Sequence, residues 1–239
     1  MADHNLAIIV GVGPGLGGAI SRRFAAAGHP VAMAARSTGA TNQIAAQIEA
    51  EGGQAKGYVT DATNETSVVH LFDAAEADFG PAGIVVFCIG GRTLTPFLEI
   101  ETTQLEQTWR NGCLSAFFVG REAARRMIPQ GEGSIFFTGA PVSRRGSANN
   151  VCYAVAKFGV RGMAESMARE LWPKGIHVAH FTPDGGVANE RRVSRDPALA
   201  AEDGPISIKA IAETYYQTHL QPRSAWSFDC EVRPWNRAF

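Results

Sequence analysis

The 239-residue chain predicts one α/β domain, a doubly wound parallel sheet with helices on both faces. Three observations carry that expectation. Short uninterrupted apolar runs recur along the chain, segments of helical period separate them, and the connections are polar or rich in glycine. An uninterrupted apolar run suits a strand buried on both faces, which a helix-covered parallel sheet provides. No internal repeat, low-complexity tract or linker divides the chain, and its length suffices for one core without disulfides or metals.

The elements come in chain order. Leu6-Ala7-Ile8-Ile9-Val10 is the first buried strand, stopped by Gly11. Leu16–Ala27 is amphipathic, with Ile20, Phe24 and Ala27 on one face, and Gly28 ends it. Val31–Ala34 reads as a strand, Thr41–Glu51 as a helix, Ala55–Val59 as a strand, Glu65–Phe79 as a helix and Ile84–Ile89 as a strand. One long helical region at Thr103–Met127 leads to a strand at Ser134–Thr138. Val151–Trp172 is a long helix that Pro173 terminates, and Ile176–Phe181 is the next strand. The rhythm breaks at Gly185–Pro205, which is polar and rich in arginine and proline; residues 185–206 are expected to form a mobile loop over a substrate site. A short helix at Ile208–His219 and a last strand within Ser227–Val232 close the chain.

Composition narrows the function. Lys plus Arg number 22 against 23 for Asp plus Glu, so no basic stripe favours nucleic acid or an acidic membrane surface. No run is long enough to span a bilayer, and Leu6–Val10 is too short and too poorly flanked for a secretory signal. Cys88, Cys113, Cys152 and Cys230 form no C-x-x-C pair and read as thiols in a reducing compartment. The six histidines show no metal-ligand spacing. A cytoplasmic protein acting on a small molecule, without a metal, is the expectation.

Gly11-Val12-Gly13-Pro14-Gly15-Leu16-Gly17 lies where a strand turns into a helix. Free N–H groups at a helix start attract phosphate, and glycine lets the backbone approach it. The motif fits a dinucleotide turn as Gly11, Gly15 and Gly17, or as Gly13, Gly15 and Gly18; the first is preferred because Gly11 ends the strand. The second strand ends Ala34-Ala35-Arg36-Ser37. A site for NAD(H) usually carries Asp or Glu there, whereas an arginine suits the 2′-phosphate of NADP(H), so NADP(H) is preferred over NAD(H). Asp61, followed by Ala62 after the third strand, is either an acceptor for the adenine amine or a loop cap.

Tyr153 and Lys157 are four residues apart on the long helix and so share a face. A tyrosine ionises near pH 10, and a neighbouring cation lowers that toward working pH, which makes it a general acid/base.

The glycine turn, Asp61 and Tyr153-x3-Lys157 together resemble the short-chain dehydrogenase/reductase family over nearly the whole chain. The resemblance implies a seven-stranded Rossmann-type sheet and a homodimer or homotetramer through the long helices. It also implies that Tyr153 is the acid/base and that Lys157 lowers its pKa and holds the ribose. Gly11, Gly13, Gly15, Leu16, Gly17, Arg36, Ser37, Asp61, Ala62, Ile89 and Gly90 would line the cofactor, with Gly185 and Val187 at the nicotinamide. Val187 would offer its N–H and C=O to the carboxamide, in a segment where Asp184 takes the family's proline place. Two family residues are missing. The serine thirteen positions before the tyrosine is Ala140, and the relay asparagine falls on Gly112, with Asn111 turned about 100° away on a regular helix. A lost oxyanion donor costs about 3 kcal/mol. Ser143, or Thr138, is the candidate replacement, and a local bulge is what would bring Asn111 round. Arg144-Arg145 and Arg191-Arg192 flank the site and suit an anionic substrate. The expected activity is hydride transfer between NADP(H) and a carbonyl or alcohol carbon. A family member doing dehydration or isomerisation, or an NADPH sensor, are the alternatives that the two missing residues favour.

Overall fold

The computed structural model describes residues 5–188 and 206–236. Its strands are β1 (Leu6–Val10), β2 (Val31–Ala35), β3 (Ala55–Val59), β4 (Ala82–Phe87), β5 (Gly133–Thr138), β6 (Ile176–Pro183), β7 (Val187–Ala188), β8 (Ile206–Ser207) and β9 (Asp229–Val232). Seven of them form one parallel sheet in the order β3-β2-β1-β4-β5-β6-β9, while β7 and β8 pair separately. The register runs Ile9 to Met33 on one side of β1 and Ile9 to Val86 on the other.

Alternation along β1 divides the core. Leu6, Ile8 and Val10 face one apolar cluster with Phe72, Val119 and Val160, while Ala7 and Ile9 face another with Ile20, Phe24 and Tyr215. Helices α1 (Leu16–Ala26), α2 (Gly39–Ala50) and α7 (Ile208–His219) carry residues of the second cluster. Helices α3 (Glu65–Phe79), α5 (Ser115–Met127) and α6 (Val151–Leu171) carry those of the first. Each fully buried phenylalanine, such as Phe24 or Phe137, contributes roughly 1.5–3 kcal/mol. Helix ends follow local chemistry: the Asn64 side chain accepts the Ser67 N–H at 3.0 Å at the start of α3, and Gly80 at φ +87° closes it.

The expected long helix at 103–127 is not continuous. α4 (Thr102–Trp109) and α5 are joined by a π-helical turn at Arg110–Leu114. A π turn inserts a residue and rotates the helix beyond it, a change that hydrophobic period does not reveal. The strand expected within Ser227–Val232 forms over 229–232 at the sheet edge, paired to β6. Residues 189–205, most of the expected substrate loop, lie outside the described residues.

The strand order reverses between β1 and β4, whose outgoing loops part to leave a crevice at their carboxyl ends. The glycine turn, Arg36, Asp61 and Ile89 all sit at this rim.

Candidate active site

The turn from β1 into α1 is built from glycines with different duties. Gly11 has φ +97°, and a Cβ there would sit 2.9 Å from the Cys88 carbonyl. A Cβ on Gly17 would sit 2.8 Å from Gly11 O, and one on Gly18 would sit 2.6 Å from Gly13 O. These three therefore let the strand, turn and helix pass closely. Gly13 and Gly15 have nothing within 4 Å on that side, so the turn presents bare backbone to the crevice. Gly15 caps α1 with no side-chain hydrogen bond, and the first turn holds no acidic residue. This cradle fits a pyrophosphate: the helix start has no side-chain cap and its first turn carries no acidic residue to repel the ligand.

Beside it, a cleft of about 360 Å³ is lined by Gly11, Arg36, Asp61, Ala62, Ile89 and Gly90, among others. Arg36 and Ser37 are exposed where β2 ends, and no carboxylate occupies that position. The Asp61 carboxyl accepts from the Thr63 hydroxyl at 2.7 Å and the Thr63 N–H at 2.9 Å. Those bonds, with a smaller contribution from Arg36, hold its pKa below the usual range. Asp61 thus caps its own loop while lining the cleft.

Two further clefts, of about 340 and 540 Å³, meet at Tyr153, Lys157 and Arg92. Lys157 is 1% exposed, and its ammonium donates to Ile89 O at 2.9 Å and Thr138 O at 2.8 Å, joining the ends of β4 and β5. Burial pushes its pKa down to about 8, against the opposing influence of the Cys88 and Cys113 thiols. The ammonium lies 5.8 Å from the centroid of the Tyr153 ring. Burial raises the Tyr153 phenol above its ordinary value, and the positive charge that opposes this is Arg92. The expected lowering by Lys157 is not what governs the phenol here; the lysine turns its ammonium to two carbonyls.

Ala140 stands in the cleft where a serine would point. Ser143 is fully buried, and its hydroxyl accepts the Ala140 N–H at 3.1 Å, so it braces the loop from beneath and lines neither cleft. A Cβ on Gly139 would lie 2.7 Å from Ser143 Oγ and would overlap the buried His180 ring. The Thr138 hydroxyl is bonded to the Tyr215 hydroxyl at 2.7 Å. Gly112 packs on α6, where a Cβ would come 3.0 Å from that of Ala156, leaving little room for an asparagine. The π turn supplies the bulge, and Asn111 lines both the 360 and the 340 Å³ clefts, its Oδ1 accepting from Gln107 at 3.0 Å.

Gly185 and Val187 line the 540 Å³ cleft opposite Leu16. A Cβ on Gly185 would meet Pro234 at 2.9 Å, so residues near the carboxyl end back this wall. Asp184 is buried, with Arg145 at 2.8 Å and Arg233 at 2.7 Å. Arg144 pairs with Glu231 and lies 3.9 Å from Asp229. The pair Arg144-Arg145 is therefore committed to carboxylates, while Arg191-Arg192 lies outside the described residues. Arg92 is the site residue that sequence reasoning missed; its only signal was an arginine two places beyond Gly90 after a buried strand.

Known proteins share this fold. The family described as short chain dehydrogenase matches residues 5–197. A crystal structure of a short-chain dehydrogenase from Rhodopseudomonas palustris is 36% identical and superposes with a TM-score of 0.81, covering 97% of this chain and 98% of that one. The short-chain reductase protein NovJ of Streptomyces niveus is 30% identical over 187 residues, 77% of this chain and 70% of its own. A metagenomic short-chain oxidoreductase in complex with NADP is 20% identical at TM-score 0.84 over 97% of each chain, a likeness of fold.

Proposed function

The chain belongs to the short chain dehydrogenase family and is an oxidoreductase, and from that premise we propose that it is NADP(H)-dependent, with Tyr153 as its acid/base. The observation that carries the reading is the meeting of the Tyr153 phenol and the buried Lys157 ammonium in one cleft beside a glycine cradle for phosphate. The chemistry that NADPH would supply when bound is a hydride. The chain's residues do the rest. Backbone N–H groups of the Gly13–Gly17 turn would receive the pyrophosphate, and Lys157, which holds the ends of β4 and β5 together, would have its third N–H free for a ribose hydroxyl. Tyr153 would give its O–H proton to the substrate oxygen and recover one from water; in alcohol oxidation it would take the hydroxyl proton instead. Burial keeps the phenol protonated, which suits the donor role in reduction, and the Arg92 charge limits the cost of the phenolate left behind.

Arg36 at the end of β2, with no carboxylate beside it, supports NADP(H) over NAD(H). Exposed Trp109, Phe117, Val155 and Phe158 on α4, α5 and α6 support a homodimer or homotetramer through these helices. Four unpaired cysteines suit the cytoplasm. Among the described residues, no helix is long and apolar enough to cross a membrane. The test is Tyr153→Phe, assayed by loss of nicotinamide absorbance over a panel of diketones, quinones and oxo acids. Turnover should fall by about 10²–10⁴ while calorimetric NADPH affinity is retained. Turnover within a few-fold of the parent would place the proton chemistry elsewhere.

A further inference from the structure

The clefts that meet at Tyr153 are electrostatically one-sided. Among the described residues, no carboxylate lines either the 340 or the 540 Å³ cleft, yet both are lined by Arg92. Among the described residues, every other arginine near this site is committed: Arg144 to Glu231, Arg145 and Arg233 to Asp184, and Arg161 to Asp229 at 3.1 Å. Arg92 makes no ion pair there. Its Nε donates to Asn150 Oδ1 at 3.3 Å, and Asn150 is itself buried and donates to Ser147 at 2.6 Å. The loop that carries Arg92 is tied down a second time, through the Thr95 N–H to Asn149 O at 2.9 Å and Gln104 to Thr95 Oγ1 at 2.7 Å. Asn149 and Asn150 immediately precede α6, the helix bearing Tyr153. The guanidinium is thus held through one edge to the same element as the phenol, and its two terminal nitrogens remain available as a fork. That fork matches a planar carboxylate.

We propose that the substrate is a carboxylate-bearing carbonyl or hydroxy compound, whose carboxylate is gripped by Arg92 while Tyr153 serves the reacting oxygen. The assignment rests on the oxidoreductase reading. It also accounts for the bare methyl of Ala140: a substrate anchored through two charge-assisted hydrogen bonds is oriented at the cleft without a serine hydroxyl. The small volume of the 340 Å³ cleft suits a short acid.

The experiment separates this inference from its premise by reading binding as well as turnover. Malonate and dimethyl malonate are titrated calorimetrically into the full-length protein, with and without saturating NADPH, for the wild type, Arg92→Met and Arg92→Lys. Malonate should bind and the diester should not; Arg92→Met should weaken malonate by about 10- to 100-fold, with Arg92→Lys between, since it keeps the charge and loses the fork. In parallel, 3-oxobutanoate should be reduced with a kcat/KM at least about tenfold above its methyl ester, a preference that Arg92→Met brings near one. Malonate affinity unchanged in Arg92→Met, equal binding of the diester, or no malonate binding overturns the carboxylate assignment. Arg92-dependent malonate binding without hydride transfer to any oxo acid upholds the anion site and defeats the oxidoreductase reading instead.

Discussion

His219 ends α7 at the opposite pole of the sheet from the clefts, in a cavity of about 280 Å³ that also includes Ser134, His177, Glu132 and Arg223. Its Nδ1 lies 2.9 Å from the Ser134 hydroxyl, and its ring centroid is 5.6 Å from that of His29. A helix carboxyl end ordinarily favours a protonated histidine by about 0.3–1 kcal/mol. Here burial and the neighbouring imidazoles of His29 and His177 outweigh that, and the pKa falls to about 4. The unfolded chain titrates near 6.5, so it binds the proton first on acidification, and folding stability that is complete above that pH is lost as pH falls toward 4. From the two pKa values the loss is about 2 kcal/mol at pH 5 and approaches about 3 kcal/mol at pH 4. His177 and His180, also lowered chiefly by burial, add losses of the same sign, so His219 must be isolated by difference. Urea unfolding of the wild type and His219→Gln at pH 7.5 and pH 5 does this, since glutamine keeps a partner for Ser134 and does not titrate. The wild type should lose about 2 kcal/mol more than the variant across that interval. Parallel losses in the two proteins, or a wild type that gains stability on acidification, would refute the burial argument.

Two further outcomes concern the clefts. Arg36→Ala should reduce the ratio of NADPH to NADH affinity by about tenfold in calorimetric titration, because one charge-assisted contact to the 2′-phosphate disappears; equal affinities in the parent would remove the basis for the NADP(H) preference. Ala140→Ser should raise kcat for simple activated ketones about tenfold, within what one oxyanion donor supplies, when monitored by nicotinamide absorbance. A fall for those ketones would mean that the new hydroxyl crowds the substrate position.

The sheet was legible because its strands announce themselves. Leu6–Val10 coincides with its expected bounds, since a strand buried between two helix layers has little choice but an unbroken apolar run; Ala55–Val59 coincides too, as an edge strand in which only Ala55 is buried. The glycine turn was legible for a related reason: Gly11 and Gly17 are places where a Cβ would strike backbone, and the local order strand–turn–helix shows that without coordinates. Tyr153 and Lys157 needed only helical period to share a face.

What the tertiary structure decided are contacts between segments remote in sequence. Ser143 is three residues from Ala140, yet its hydroxyl meets the backbone beneath and not the cleft, in a loop whose Gly139 packs against His180 of β6. The π turn at Arg110–Leu114 joins two stretches that each read as regular helix, so hydrophobic period does not disclose it, and it places Asn111 at the cleft. Charge state is also tertiary. Lys157 is an ordinary lysine by sequence and is pushed down to about 8 only because two strand ends and a long helix close around it. The pairing of Arg144 with Glu231 likewise emerges only when the last strand docks beside β6, and that of Arg145 with Asp184, like the absence of such a partner for Arg92 among the described residues, depends on segments remote in sequence. Composition counts charges and periodicity assigns faces; which cation is neutralised and which is left facing a ligand is set by long-range packing.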